Sequence, residues 1–267
     1  MLVDINTCFG TSPKKRVRYA DTVTAARMFD EPGQVVPTMQ EVDWSLDNLL
    51  RVIDEHQVDL ALTYSLRGKL YDFVTGNHET WEAVQTHPQL VPVATLDPCR
   101  HFGCLEEVEH CADRGFRVFR FFPDEQGWAI DSLPFLRICE AVAEYGLAIM
   151  LPAGGWGQQS RIAELLCPLG VPVITLAATF TVVAESLAVA AAYDNFFCET
   201  SAIHTVESIE GFAQAAGADK LMFGSNSPES YFKSAYNLVE VARVSDQEKH
   251  DIFGGNALRC LQLGGHQ

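Results

Sequence analysis

The side chains best suited to chemistry follow separate apolar runs of the chain. Asn6 and Cys8 end the first run, Arg120 ends a later one, and Glu199 and His204 follow another. A thiol beside a histidine can act as a nucleophile, and a carboxyl group can act as an acid or a base. Arginine can bind a carboxylate or a phosphate through two parallel hydrogen bonds. We therefore treat Cys8, Glu199 and His204 as candidate catalytic residues, and Asn6 and Arg120 as candidate ligand-binding residues.

Each of these assignments has a structural alternative. A lone cysteine such as Cys8 is most often a small buried hydrophobic residue. Arg120 could pair with an acid inside the fold, either Asp4 or Glu199, because a buried charge needs a partner. Glu199 could likewise serve only to offset that charge. The sequence leaves these three alternatives open.

Four more side chains follow predicted strands and could contact a ligand. They are Tyr64, Trp156, Asn226 and Glu229. Glu229 could instead cap the next helix, which is the usual role of an acid at a helix start. Trp156 could simply cover the end of the fold.

The segments that must position these residues alternate between short apolar runs and amphipathic helices. The strands are predicted at Leu2–Asn6, Val58–Tyr64, Leu90–Leu96, Phe116–Phe121, Leu147–Leu151, Val171–Leu176, Asn195–Thr200 and Lys220–Gly224. Helices are predicted over Ser45–His56, Leu133–Tyr145 and Ser208–Ala216, the last two followed by glycine as helix ends often are. This alternation predicts one α/β domain over residues 1–267, folded as a (β/α)8 TIM barrel; a doubly wound sheet is the alternative.

One connection is much longer than the others. It runs from Thr7 to Trp44, between the first strand and the first strong helix. Connections of this length are often lids or binding loops. Because barrel enzymes place their sites at the carboxyl ends of the strands, we expect an active-site loop there.

Composition excludes several classes of partner. A formal net charge of −16 argues against nucleic-acid binding, and the basic segment Lys14–Arg18 is interpreted as a local loop charge. No apolar run is long enough to span a bilayer, and the first residues already form a strand, so no membrane or signal segment is expected. Eight irregularly spaced cysteines suit a reducing cytoplasm.

Apolar stripes such as Ala188–Ala192 are compatible with a homo-oligomer as well as with packing on the barrel.

Several segments resemble, in chain order, the motifs of the amidohydrolase-related family of metal-dependent TIM-barrel hydrolases. They are residues 3–10 (VDINTCFG), 115–123 (GFRVFRFFP), 146–154 (GLAIMLPAG), 173–180 (VITLAATF), 220–228 (KLMFGSNSP) and 252–257 (IFGGNA). The resemblance covers nearly the whole chain. It implies the barrel fold and a site at the carboxyl ends of the strands.

The positions that hold the metal in that family carry other residues here. The first two histidines are replaced by Asn6 and Cys8, and the histidine after the fifth strand by Pro152. The sixth-strand histidine becomes Ala178, and the aspartate after the eighth strand becomes Asn226. In the fourth-strand motif, the lysine and histidine become Arg120 and Phe122.

Catalytic zinc needs about three ligands drawn from His, Asp, Glu or Cys. Pro152 and Ala178 offer no side-chain donor and the amides are weak ligands, so we expect no cofactor and no zinc in the usual place. A second cluster has ligand residue types but no standard zinc spacing, and reads as a buried helix face. It comprises Cys99, His101, Cys104, His110 and Cys111.

These observations lead to one hypothesis and two alternatives. The leading hypothesis is an amidohydrolase-like barrel that binds a small polar or anionic molecule at the carboxyl ends of its strands, without metal-assisted hydrolysis. The first alternative is a metal-independent hydrolase, such as a lactonase, or a lyase acting on a small carbonyl or carboxylate compound. The second is a non-catalytic scaffold or subunit, since this fold serves many functions.

Overall fold

The computed structural model describes residues 1–10, 42–176 and 181–265. Eight parallel strands form one sheet in which each strand pairs with the next along the chain. The sheet curves back on itself, so that its first strand meets the segment after its last strand. Two hydrogen bonds join them: Ile5 N donates to Phe223 O at 3.0 Å, and Cys8 N donates to Ser227 O at 3.1 Å. The fold is therefore the (β/α)8 barrel that the alternation of elements predicts.

All eight predicted strands are present, and their ends differ from the expected ones by at most three residues. They are β1 (Val3–Phe9), β2 (Leu60–Ser65), β3 (Leu90–Thr95), β4 (Val118–Arg120), β5 (Ala148–Pro152), β6 (Val173–Leu176), β7 (Phe196–Glu199) and β8 (Leu221–Met222). Both faces of this sheet are covered, which explains the nearly continuous apolar runs. On β2, for example, Leu62 belongs to the inner core while its neighbour Ala61 belongs to the outer core.

Helices surround the barrel in the same order. The α-helices are α1 (Leu46–His56), α2 (Leu66–Leu70), α3 (Phe73–Thr86), α4 (His101–Asp113), α5 (Pro123–Gln126), α6 (Leu133–Glu144), α7 (Gln158–Leu166), α8 (Val183–Ala192), α9 (Ser208–Ala215), α10 (Phe232–Glu240), α11 (Asp246–His250) and α12 (Asn256–Cys260). Ser45 caps α1 by accepting a hydrogen bond from Asn48 N at 3.2 Å, as expected of a serine at a helix start. Gly146 and Gly217 follow α6 and α9 with φ of 67° and 99°.

The amino end of the barrel is covered by α12. Asn256 Nδ2 donates to Ala218 O at 2.9 Å and to Leu221 O at 2.8 Å, which ties the helix to the start of β8. Ala257 and Leu261 belong to the inner core. The opposite end, where the strands reach their carboxyl ends, carries the polar residues and is called the mouth below.

The structure corrects the expected start of the long connection. Thr7, Cys8 and Phe9 are part of β1, because they pair with Thr63, Tyr64 and Ser65 of β2 after a register shift that follows Asp4. The basic segment Lys14–Arg18, most of the connection and Ala178 lie outside the described residues. Within the described ranges, no helix is long and apolar enough to cross a membrane.

Candidate functional site

Arg120 places a positive charge inside the mouth. It is the last residue of β4 and its side chain points into the barrel, where only 8% of the residue is exposed. Its Nη1 donates to Asn6 Oδ1 at 2.6 Å, while its Nε has no hydrogen-bond partner within the described structure. The charged group is thus buried against a neutral amide.

Two aromatic rings support the guanidinium. Its Cζ lies 4.7 Å from the ring centroid of Tyr64 and 5.2 Å from that of Phe122. The two rings contact each other, with centroids 5.3 Å apart. Contacts of a guanidinium with ring faces are stabilised by the ring quadrupole, so the rings fix the position of Arg120 without neutralising it.

Glu199 provides a buried carboxyl group on the other side of Asn6. Its Oε2 accepts hydrogen bonds from Asn6 Nδ2 at 3.3 Å and from Ser201 Oγ at 2.8 Å, and its Oε1 accepts from Ser201 N at 2.6 Å. Burial raises the pKa of Glu199 to about 7, against the lowering effect of the Ser201 hydrogen bonds. A carboxyl group with this pKa can donate or accept a proton near neutral pH.

The absence of a side chain at Gly224 makes room for Glu199. A Cβ at residue 224 would stand 2.7 Å from both Cγ and Cδ of Glu199. Carbon atoms in contact normally lie about 3.5–4.0 Å apart. The glycine after β8 therefore determines where the carboxyl group of β7 can lie.

Asp4 is a second buried carboxyl group near the mouth. Its Oδ1 accepts hydrogen bonds from Ser225 N at 2.9 Å and from Asn6 N at 3.1 Å. Burial raises its pKa to about 6. In the described part of the chain, neither Asp4 nor Glu199 forms a direct ion pair with Arg120. The Asn6 amide lies between Arg120 and Glu199 and is hydrogen-bonded to both.

The structure does not bring Cys8 and His204 together. Cys8 is buried, and its Sγ lies 4.0 Å from Ser227 O. Burial raises the pKa of the Cys8 thiol to about 11, so the thiol stays protonated at neutral pH. His204 is exposed and lines a groove beside the mouth.

That groove is a cavity of about 730 Å³ between α1 and the segment that leads into α10. Ser201, Ser225 and Glu229 also line it, together with His204. Ser201 and Ser225 are the residues that hold Glu199 and Asp4, so the groove adjoins the mouth from the side of β7 and β8. Neither Arg120 nor Asn6 is among its described lining residues.

Three predicted ligand residues remain, one after β5 and two after β8. Asn226 has a φ of 56° and its Nδ2 donates to Ser230 Oγ at 3.3 Å. Trp156 is 72% exposed after β5. Glu229 does not cap α10, because that helix begins after Tyr231 and no side chain caps it. Of these residues, only Glu229 lines the groove.

Sequence reasoning missed Lys69 and Glu125. Lys69 Nζ lies 2.6 Å from Glu125 Oε1 and 4.8 Å from the ring centroid of Phe122. The two residues belong to α2 and α5, short helices that directly follow β2 and β4. Their position just after strand ends is the one signal in the sequence that marks them, since barrel sites are built from such segments.

Two members of the second cluster of cysteine and histidine residues, Cys104 and Cys111, lie on the packed face of a helix. Cys104 and Cys111 are buried on α4, where Cys104 Sγ contacts Asp97 O at 3.1 Å and Cys111 Sγ contacts Glu107 Oε1 at 3.4 Å. Cys99 is exposed. Among the residues that the structure describes, no group of three or more His, Cys, Asp or Glu side chains is placed to hold a metal ion.

Comparison with protein families identifies the relationship. The profile of the amidohydrolase family Amidohydro_2 matches residues 73–263, well over half of the chain. The chain belongs to the amidohydrolase family. No curated protein matches it.

Solved structures share the fold of this chain at low sequence identity. A 2,6-dihydroxybenzoate decarboxylase complexed with 2,6-dihydroxybenzoate has a TM-score of 0.70 at 13% identity, with 99% of this chain and 100% of that chain covered. A dihydroxybenzoic acid decarboxylase from Polaromonas with bound manganese and 2-nitroresorcinol has a TM-score of 0.69 at 15% identity, with 98% and 97% covered. The 5-carboxyvanillate decarboxylase from Novosphingobium aromaticivorans, complexed with manganese and 4-hydroxy-3-methoxy-5-nitrobenzoic acid, has a TM-score of 0.69 at 14% identity, with 98% and 96% covered.

Two of the described residues that stand where the resemblance places metal ligands, Asn6 and Pro152, are poor ligands for a divalent metal ion. Pro152 has no side-chain donor, and Asn6 offers one neutral amide oxygen that already accepts from Arg120 at 2.6 Å. A permanently protonated guanidinium on that oxygen repels a second cation.

Proposed function

We propose that this protein binds a small organic carboxylate at its mouth, with Arg120 as the anchor and without a metal ion. The observation that carries the proposal is the buried guanidinium, which meets a neutral amide and two rings instead of a carboxylate among the described residues. A buried cation is costly unless an anion pairs with it. A ligand carboxylate, bound through the free Nε edge, would supply that anion.

The surroundings of Arg120 favour a carboxylate on an apolar or aromatic body. Tyr64 and Phe122 offer ring surface directly beside the guanidinium. The structurally similar decarboxylases hold 2,6-dihydroxybenzoate or a nitrobenzoic acid in their complexes. An aromatic carboxylate is therefore the first ligand class to test.

The test is isothermal titration of protein purified without chelator, with benzoate and 2,6-dihydroxybenzoate as ligands and metal content measured by mass spectrometry. We expect binding by protein with far less than one metal ion per chain. Arg120→Met should weaken binding at least roughly tenfold, since a buried charge pair contributes a few kcal/mol. Arg114→Met is the matched control, because Arg114 also stacks on a ring, at 4.7 Å from Trp81, but outside the mouth.

Two results would overturn the proposal. One is unchanged carboxylate affinity in Arg120→Met with a native circular dichroism spectrum. The other is binding that appears only when manganese or zinc is present at one ion per chain.

A second candidate function, a metal-independent lyase acting on the bound carboxylate, is favoured by Glu199. Its pKa of about 7 leaves a substantial protonated fraction at neutral pH. In a decarboxylation, the bond to the carboxyl carbon breaks, its electron pair stays on the substrate carbon, CO₂ leaves, and Glu199 donates the proton that the carbon takes up. Arg120 would orient the carboxylate before this step.

Glu199→Gln separates the two functions, because the amide keeps the shape but cannot exchange a proton in this way. If the protein is a lyase, the variant should lose CO₂ release from 2,6-dihydroxybenzoate while it retains ligand binding. If neither wild type nor variant releases CO₂ from any aromatic carboxylate tested, while both bind them, the lyase assignment is wrong and binding alone remains.

A further inference from the structure

Glu199 is fully buried, but it lies one hydrogen bond away from a residue that lines the groove. None of Glu199 is exposed, and its described hydrogen-bond partners are the Asn6 amide, Ser201 N and Ser201 Oγ. Gly224 closes the space on another side, because a Cβ there would stand 2.7 Å from Cγ and Cδ of Glu199. A proton that reaches or leaves this carboxyl group must therefore pass through a neighbouring group, unless the fold opens.

Ser201 is the one described hydrogen-bond partner of Glu199 whose side chain can pass a proton on. Its hydroxyl donates to Glu199 Oε2 at 2.8 Å, and a hydroxyl can accept one proton while it donates another. Asn6 contacts the same oxygen through an amide N–H at 3.3 Å, and an amide is not a useful base near neutral pH. Arg120, on the far side of Asn6, is permanently protonated and has no acceptor atom.

The other side of Ser201 meets the groove. Ser201 follows β7, is partly exposed, and lines the cavity of about 730 Å³. Such a cavity has room for several water molecules, because each occupies about 30 Å³ in the liquid. Ser201 therefore joins a buried carboxyl group to a space that water can enter.

We propose that the groove is the route by which protons reach Glu199, and that the Ser201 hydroxyl relays them. Ser201 Oγ accepts a proton from a hydronium ion or a buffer acid in the groove as its own hydroxyl proton passes to Glu199 Oε2. The carboxylate becomes a neutral carboxyl group, Ser201 regains its hydroxyl, and the donor is left as water or as the conjugate base of the buffer. The inference goes beyond the proposed function, because it concerns the protein without a ligand. If the protein is a lyase, the same route restores the proton that Glu199 gives up.

The charged groups around Glu199 change its proton affinity without bonding to it. Asp4 raises the pKa of Glu199 and Arg120 lowers it, and burial has a larger effect than either. His204 and Glu229 line the groove beyond Ser201. Because the pKa of Glu199 is about 7, the carboxyl group is protonated at pH 5, where its exchange rate can be measured separately from its proton affinity.

Infrared spectroscopy after rapid mixing into deuterium oxide at pH 5 measures the exchange. The C=O band of a protonated carboxyl group shifts when deuterium replaces the proton, and the Glu199 band is the one missing from Glu199→Gln. We expect wild type to exchange this proton much faster than its most protected backbone amides. Ser201→Val should slow the exchange at least roughly tenfold, since a positioned proton-transfer group commonly contributes more than that. Ser201→Thr, which has nearly the shape of valine but keeps a hydroxyl, should exchange like wild type.

Ser234→Val is the matched control. Ser234 lines the same groove from α10, and Glu199 is not among its described hydrogen-bond partners. The substitution should leave the exchange rate unchanged. Circular dichroism of each variant shows whether it has folded.

Two results would overturn the relay. One is exchange in folded Ser201→Val as fast as in Ser201→Thr, since the two side chains differ mainly in the hydroxyl. The other is exchange in wild type no faster than that of its most protected amides, a result that does not depend on whether Ser201→Val folds. Neither result affects carboxylate binding at the mouth, and failure of wild type to bind benzoate would overturn the proposed function without affecting the relay.

Discussion

Arg120 and Glu199 are joined through a single amide. Asn6 accepts a hydrogen bond from the guanidinium at 2.6 Å and donates one to the carboxyl group at 3.3 Å, so opposite charges stand on the two sides of a neutral group. Arg120 lowers the pKa of Glu199, but burial has a larger effect and the pKa stays at about 7. The amide thus keeps the cation available to a ligand and the carboxyl group able to hold a proton.

Asn6→Asp should remove that separation. The new carboxylate would pair directly with Arg120 and compete with a ligand carboxylate, so benzoate affinity should fall at least about tenfold by isothermal titration. Asn226→Asp is the control, because Asn226 bonds to Ser230 instead of Arg120. Equal affinities for wild type and Asn6→Asp would show that Arg120 is not the anchor.

Glu199 should make the stability of the fold depend on pH. Burial raises its pKa from the ordinary 4.5 to about 7, so between these values the folded protein holds a proton that the unfolded chain releases. The stabilisation of the folded state by this bound proton is fully present below pH 4.5 and is lost as pH rises through about 7.

Urea denaturation at pH 5 and pH 8 measures the effect. Relative to Glu199→Gln, which does not titrate, the wild-type free energy of unfolding should fall by a few kcal/mol over this range, since one pKa unit corresponds to about 1.4 kcal/mol. Glu240→Gln is the control, because Glu240 is exposed on α10. Its free energy of unfolding should change between pH 5 and pH 8 in the same way as that of wild type. A constant difference between wild type and Glu199→Gln would mean that Glu199 titrates normally.

Gly224→Ala should displace Glu199. The added methyl group would stand too close to the Glu199 side chain, which cannot move easily because Asn6 and Ser201 hold it. We expect a loss of about 1–3 kcal/mol in the free energy of unfolding, typical of overpacking.

A double-mutant cycle shows whether Glu199 is the cause. In a Glu199→Ala background, Gly224→Ala should cost much less, because the group it meets has been removed. If the two substitutions are additive, the cost of the alanine comes from the backbone at residue 224.

Cysteine labelling tests the assignment of Cys8. The thiol is buried and its pKa of about 11 keeps it protonated at pH 8, whereas Cys99 is exposed. Iodoacetamide followed by peptide mass spectrometry should find Cys99 modified in the native protein and Cys8 modified only after unfolding in urea. Labelling of Cys8 in native protein as fast as Cys99 would restore it as a candidate nucleophile.

The barrel is predictable from sequence because each buried strand is an apolar run between helix patterns. Arg120, Asn6 and Glu199 also stand out, since they are polar residues at strand ends. Their connection could not be foreseen, because it depends on the register shift after Asp4 and on the space left at Gly224. Lys69 and Glu125 were missed because the contact between α2 and α5 joins segments far apart in the chain.

The position of Arg120 has a consequence for how the protein responds to its surroundings. A bound metal ion can be lost to a chelator, replaced by another metal, or left out when supply is short. A guanidinium is part of the chain and is made with it, so every folded copy carries the same positive charge at the same depth of the mouth. If Arg120 anchors an anion as we propose, occupancy of the mouth should follow the concentration of that anion and should not depend on the metal content of the solution.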